Sequence, residues 1–152
     1  MIITKEQLKD WNACKTGYEW FLRRFPGGAA DYQEMLNALA EDDRPDDANW
    51  LMDHAGPDRN AVMEIEALVG NKHLFVAGTL VIKTGGSVSA LLRAGGGIEA
   101  GDCIEAGWGI EAGDCIEAGW GIKAGRGIEA GRGIKAGDCI EAGWGIEAGD
   151  CI

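Results

Sequence analysis

Carboxylates are the chemically capable side chains that recur most often at regular spacing along this chain. Glu99, Glu105, Glu111 and Glu117 follow one another every six residues, with Asp102 and Asp114 midway between hexads. A second group, Glu41, Asp42, Asp43, Asp46 and Asp47, crowds one short stretch. What such arrays can do is electrostatic: they attract a basic surface and repel phosphate backbones, whose recognition needs clustered Lys and Arg. These residues, with Trp120 as an aromatic anchor beside them, are the candidate partner-binding residues. Other chemistry lacks its parts. The two histidines, His54 and His73, lie outside the repeats, and no CxxC or Cys/His spacing suits zinc. No catalytic residue, metal or cofactor is expected.

The regular carboxylates are carried by a repeat. From Gly97 the chain reads GIEAGD, CIEAGW, GIEAGD, CIEAGW, GIKAGR, GIEAGR, GIKAGD, CIEAGW, GIEAGD and CI. A fixed short period signals a solenoid. Within each hexad, Ile and Ala would face inward and Glu or Lys outward, with Gly and a variable residue at the corner. Glycine is expected there for a sharp turn or positive φ. The sequence also duplicates at twelve residues, so a two-sided and a three-sided coil compete. At an offset of eighteen, the columns are Trp108–Arg126–Trp144, Asp114–Arg132–Asp150 and Glu105–Lys123–Glu141, which alternate favourably. One column, Glu111–Glu129–Glu147, is repulsive. An offset of twelve stacks Glu105, Glu117, Glu129 and Glu141, and sets Asp102 against Asp114. The charges therefore favour eighteen. Lys123, Arg126, Arg132 and Lys135 become a basic layer between acidic coils.

Ahead of the repeat, residues 1–58 read as a helical head with four helices. Thr4/Gln7, Thr16/Glu19 and Asp31/Glu34 have capping spacing, Pro26-Gly27-Gly28 and Gly56-Pro57 are stops, and 41–47 reads as an acidic turn. A head this small is expected to pack on its neighbour. Residues 59–96, rich in Val, Ile, Leu and Thr, are expected to supply an irregular first coil and cap. Residues 97–152 form the regular stack. The fold class is thus α+β, a helical head followed by a three-sided parallel β-solenoid of hexapeptide repeats.

The formal charge is −11, and 46% of the residues are hydrophobic. The five cysteines, Cys14, Cys103, Cys115, Cys139 and Cys151, read as reduced, partly buried thiols. No signal-peptide pattern or membrane span is evident. The expected place is the cytoplasm of a bacterial host, with no direct nucleic-acid or membrane contact. An uncovered solenoid edge invites pairing, so a homodimer through the last coil is expected.

Three resemblances bear on function. The Ile-every-six rule is similar to that of hexapeptide-repeat acyl- and nucleotidyltransferases. Those enzymes place a small residue two before the aliphatic one, where this chain has Asp102, Trp108, Asp114, Trp120, Arg126 or Arg132, and they use an extended loop and a catalytic His. The stretch LFVAGTLVIKTGGSVSA followed by GIEAGDCIEAG resembles bactofilin-type polymer-forming solenoids, which implies a self-assembling scaffold. The head run ACKTGYEWFLRRFPGG resembles small helical modules of phage and bacterial proteins. With the acidity, this implies a phage anti-defence protein of the anti-CRISPR kind: a non-enzymatic inhibitor that occupies a basic, nucleic-acid-handling bacterial protein or nucleoprotein complex.

Overall fold

The computed structural model describes residues 1–152. Four helices come first: α1 (Lys5–Asp10), α2 (Lys15–Arg24), α3 (Tyr32–Glu41) and α4 (Pro45–Ala55). The Thr4/Gln7 capping box is formed, and Asp31 caps α3 by accepting the Gln33 and Glu34 N–H groups. The cap of α2 is Cys14, not Thr16: its Sγ accepts the Gly17 N–H at 3.3 Å, while the Thr16 hydroxyl turns to that sulfur. The acidic stretch is only partly a turn. Glu41 ends α3, and Pro45, Asp46 and Asp47 form the first turn of α4, where negative charge suits the helix dipole. Two strands of three residues, β1 (Ile2–Thr4) and β2 (Ala29–Asp31), pair antiparallel across the head and were not anticipated.

The remaining strands form five coils of three. They are β3 (Val62–Ile65), β4 (Leu68–Gly70) and β5 (Leu74–Val76); β6 (Thr79–Ile82), β7 (Gly86–Val88) and β8 (Leu92–Ala94); β9 (Ile98–Ala100), β10 (Ile104–Ala106) and β11 (Ile110–Ala112); β12 (Ile116–Ala118), β13 (Ile122–Ala124) and β14 (Gly127–Ala130); and β15 (Ile134–Ala136), β16 (Ile140–Ala142) and β17 (Gly145–Ala148). Every third strand pairs in parallel, giving a first face (β3-β6-β9-β12-β15), a second (β4-β7-β10-β13-β16) and a third (β5-β8-β11-β14-β17). Ile104 lies opposite Ile122, and Ile122 opposite Ile140, so the coil is eighteen residues and three-sided. The segment before Gly97 holds two coils, not one. Its irregularity is a single missing residue: Met63 pairs Leu80 at an offset of seventeen, whereas Leu80 pairs Ile98 at eighteen.

Ile98, Ile104, Ile110, Ile116, Ile122, Ile128 and Ile134 are buried in one aliphatic column system with Leu80 and Leu92. Ile140 and Ile146, expected to be buried, are only partly so, because no further coil covers β16 and β17. The thiols also depart from expectation. Cys103 and Cys115 are half-buried, but Cys14, Cys139 and Cys151 are exposed.

The invariant corner glycine has a different cause from the expected one. A Cβ on Gly125 would lie 2.1 Å from the Gly107 carbonyl oxygen of the preceding coil, and one on Gly113 would lie 2.1 Å from that of Gly95. Positive φ plays no part at these corners. The position before isoleucine is roomier: a Cβ on Gly127 would lie 3.6 Å from its nearest neighbour. This explains why cysteine replaces glycine there and never at the corner.

The head packs on the solenoid, as its size requires. Its core of Ile3, Leu8, Trp20, Phe21, Tyr32, Leu36, Leu39 and Leu51 takes in Phe75, Ala77 and Leu91 from the coils. The Gln33 side chain completes the joint. Its Nε2 donates to the Phe75 carbonyl and its Oε1 accepts from the Ala77 N–H, each at 2.8 Å, so one amide stands in for a strand beside β5. His73 is buried at the same joint. Its Nδ1 accepts the Leu91 N–H at 3.2 Å, and its ring meets Trp108 edge-on.

Two outcomes follow. Gly125→Ala should cost about 3 kcal/mol, the upper end of overpacking penalties, whereas Gly127→Ala should stay within about 0.5 kcal/mol; paired urea melts read the difference. The second concerns pH. Burial holds the His73 imidazole below its ordinary value of 6.5, against the opposing pull of Asp43 and Asp46. The unfolded chain therefore takes up this proton first, and stability falls as pH drops below 6.5 toward the lowered folded value. Melting profiles between neutral pH and pH ~5.5 should be steeper for the native chain than for His73→Asn; equal slopes would contradict the assignment.

Candidate functional site

The carboxylates singled out by sequence do not converge on one surface. Glu99 and Glu117 lie opposite each other on the first face, Glu105 is on the second and Glu111 on the third. Asp102 and Trp120 share the corner between the first and second faces, where the Asp138 N–H continues the column by donating to the Trp120 carbonyl. Trp120 is 62% exposed. Asp114, at the corner between the third and first faces, pairs with Arg132 at 3.2 Å. In the second-face column, the Lys123 ammonium lies 3.6 Å from Glu141.

Much of the 41–47 group is engaged within the head. Glu41 pairs with Arg24 at 2.8 Å, and Asp42 accepts the Trp20 indole N–H at 2.7 Å. Asp47 holds Arg44, whose guanidinium lies over the Trp20 ring. Asp43 faces His73 at 3.8 Å. Asp46 is exposed on the first turn of α4 and overlooks the third face.

That third face is where charge, aromatic surface and concavity meet. Its outward column runs Arg93, Glu111, Glu129, Glu147. Arg93 ties the column to α4, donating to Asn49 Oδ1 at 2.7 Å and pairing with Asp53 at 2.5 Å; its Nε lies 3.4 Å from Glu111. Burial raises the Glu111 carboxyl above its ordinary value, Arg93 opposes this, and Glu129 reinforces it. Beyond Glu111, Glu129 and Glu147 stack as like charges, a destabilising arrangement. Beside them runs the corner ladder. The Arg126 guanidinium lies 4.6 Å from the Trp108 ring centroid and 5.4 Å from that of Trp144. Trp144 is 81% exposed. A groove of 540 Å³ lies between this ladder, the glutamates and Asp46 of the head; a second, of 490 Å³, lies on the other side of the column under Met52 and Pro57.

Glu129, Glu147 and Arg93 are not among the candidates from sequence, where Trp144 stands as a solvent-facing corner of the ladder. The first two are legible, since the offset of eighteen singles out Glu111–Glu129–Glu147 as its one column of three glutamates. Arg93 is not, because its role depends on where α4 comes to rest. The arrangement can hold a cation and stack against an aromatic or guanidinium plane. No group of three or more His, Cys, Asp or Glu side chains has the geometry of a metal site. No helix is long and apolar enough to cross a membrane.

Comparison with known proteins gives a likeness for the head. Residues 1–55 match the family described as the YdhT N-terminal domain. Over 55 residues the chain is 40% identical to the uncharacterized protein YdhT of Escherichia coli (strain K12), a stretch that is 36% of this chain. The chain spans about a fifth (20%) of the length of that relative. No solved structure matches. The matched stretch covers all four helices together with β1 and β2, and stops short of the first coil.

Proposed function

We propose that the chain is a non-enzymatic, acidic binding protein that engages a basic, nucleic-acid-handling bacterial protein or nucleoprotein complex and blocks it without chemistry. The observation that carries this reading is the Glu111–Glu129–Glu147 column beside the exposed Trp108–Arg126–Trp144 ladder. A stack that places like charges in register gives up stability, and a basic partner would relieve that repulsion. The rigid coils hold the charges at fixed spacing, so little ordering is needed on binding. Trp144 supplies an aromatic anchor of the type that dominates interfaces. An inhibitor of a host defence complex, anti-CRISPR-like in action, is the specific form of this reading, with phosphate mimicry by the glutamates as its basis. A self-assembling scaffold is the competing form, and the edge-to-edge parallel stacking of the coils is what favours it.

The test is capture from nuclease-treated bacterial lysate, with phage plating on a defended host as the second readout. Glu129→Lys with Glu147→Lys should abolish capture and protection while leaving the melting curve within a few degrees or higher, since a like-charge contact is removed. Reversals on the other two faces, Glu99→Lys on the first and Glu105→Lys on the second, should weaken association mainly through its salt dependence. Capture unchanged by both sets would mean that the charge serves solubility alone.

A further inference from the structure

At its end of the solenoid, the head closes one strand edge of three. Gln33 covers β5, but β3 and β4 are the outermost strands of their faces and pair only with β6 and β7. The carbonyls of Ala61, Ile65, Glu66 and Gly70 accept from Thr79, Lys83, Thr84 and Ser89 of the second coil, and the Leu68 N–H donates to Gly85. Successive residues of a strand turn their N–H and C=O to opposite sides, so Val62, Glu64 and Val69 present theirs to the open side. Val62 is 59% exposed and Val69 88%. Between these strands the core opens as a depression of 340 Å³ lined by Met63, Ile65, Leu68, Leu74 and Val88. Soluble proteins usually blunt such an edge with lysine, proline or a bulge. Here the nearby Lys72 is drawn off to the Glu41 carbonyl, and the charge on β3 itself is Glu64.

We infer that β3 and β4 receive an extended segment of a partner protein by strand addition, one that alternates apolar residues with Lys or Arg. The unpaired backbone selects a strand. The depression takes the apolar side chains, and Glu64 with the −11 charge of the chain selects the basic ones between them. A second copy fits poorly. It would bring a second Glu64 to an already acidic edge, and α3, packed on β5 at the same end, stands where an incoming solenoid would stack. The inference rests on the reading of the chain as an acidic binding protein and names the form its partner takes.

The test titrates the full chain into short fluorescein-labelled peptides that alternate Val with Lys or Val with Glu, read by anisotropy. The Val–Lys peptide should bind and the Val–Glu peptide should not. Val69→Pro, which removes an edge N–H outside the ladder, and Glu64→Lys, which leaves the backbone alone, should each weaken binding by at least about ten-fold, while Glu141→Lys on the far coil should leave it within about two-fold. Glu64→Lys decides the matter even if Val69→Pro fails to fold. No binding of the Val–Lys peptide, or equal weakening by Glu141→Lys, would overturn the inference. So would a full-length dimer in light scattering that Val69→Pro dissociates. Peptide binding without capture from lysate supports the edge and removes only the wider reading.

Discussion

From Gly95 onward, each corner of the solenoid brings a glycine α-carbon over the carbonyl of the corner eighteen residues earlier, so closely that a methyl group cannot fit. The hypothetical Cβ of Gly119 would lie 2.1 Å from the Gly101 oxygen, and that of Gly137 2.0 Å from the Gly119 oxygen. The missing side chain lets the corners close to the spacing that hydrogen bonding between adjacent strands demands. Once the corners are fixed, Ile must fall on Ile, and the outward residues must fall into columns. The hydrophobic stack and the charge ladders are consequences of the same close approach. Within the regular stack, a side chain at such a corner would press on the carbonyl of the coil beneath it.

The columns make charge a property of register. Arg126 between Trp108 and Trp144, and Arg132 beside Asp114, place cations in the fourth coil where the third carries acids and tryptophan. These pairs are exposed and individually worth little. Their effect is selective, since a slip of one hexad would move every partner to another face. On the third face the alternation stops after Arg93, and three glutamates follow one another. Arg93 is committed elsewhere, to Asn49 and Asp53 of α4. The same residue that docks the head thus begins the acidic column, which places the head beside the most strongly like-charged surface of the coils.

Most of the architecture could be read from residue spacing. The isoleucine period fixes the strands, and electrostatic arithmetic on the outward residues picks the three-sided coil, because an offset of twelve would stack Glu105, Glu117, Glu129 and Glu141 and set Asp102 against Asp114. The head helices were legible from Thr4/Gln7, Asp31/Glu34 and Gly56. The remaining features depend on contacts that residue spacing does not encode. Cys14 displaced Thr16 as a cap because its sulfur reaches the Gly17 N–H. The β1–β2 pair is too short to show a period. The second coil hid in Leu80, Gly86 and Leu92, which follow the register without repeating the motif. For the site, residue type was informative and grouping was not: the regular carboxylates are distributed over three faces, and the concave surface includes Asp46, which belongs to the head.

Disulfide trapping of the coil register tests the central claim directly. In a chain carrying Cys14→Ala and glycine at the four repeat cysteines, the pair Glu105→Cys with Lys123→Cys places two thiols on directly opposed strands of the second face. Adjacent strands lie about 4.8 Å apart, within reach of a disulfide. Mild oxidation should close an intramolecular bond in this variant and leave Glu105→Cys with Glu117→Cys reduced, since those positions lie on different faces. Bond formation by the 105/117 pair instead, with 105/123 left reduced, would mean a twelve-residue coil and would contradict the eighteen-residue register on which the fold and its charge columns depend.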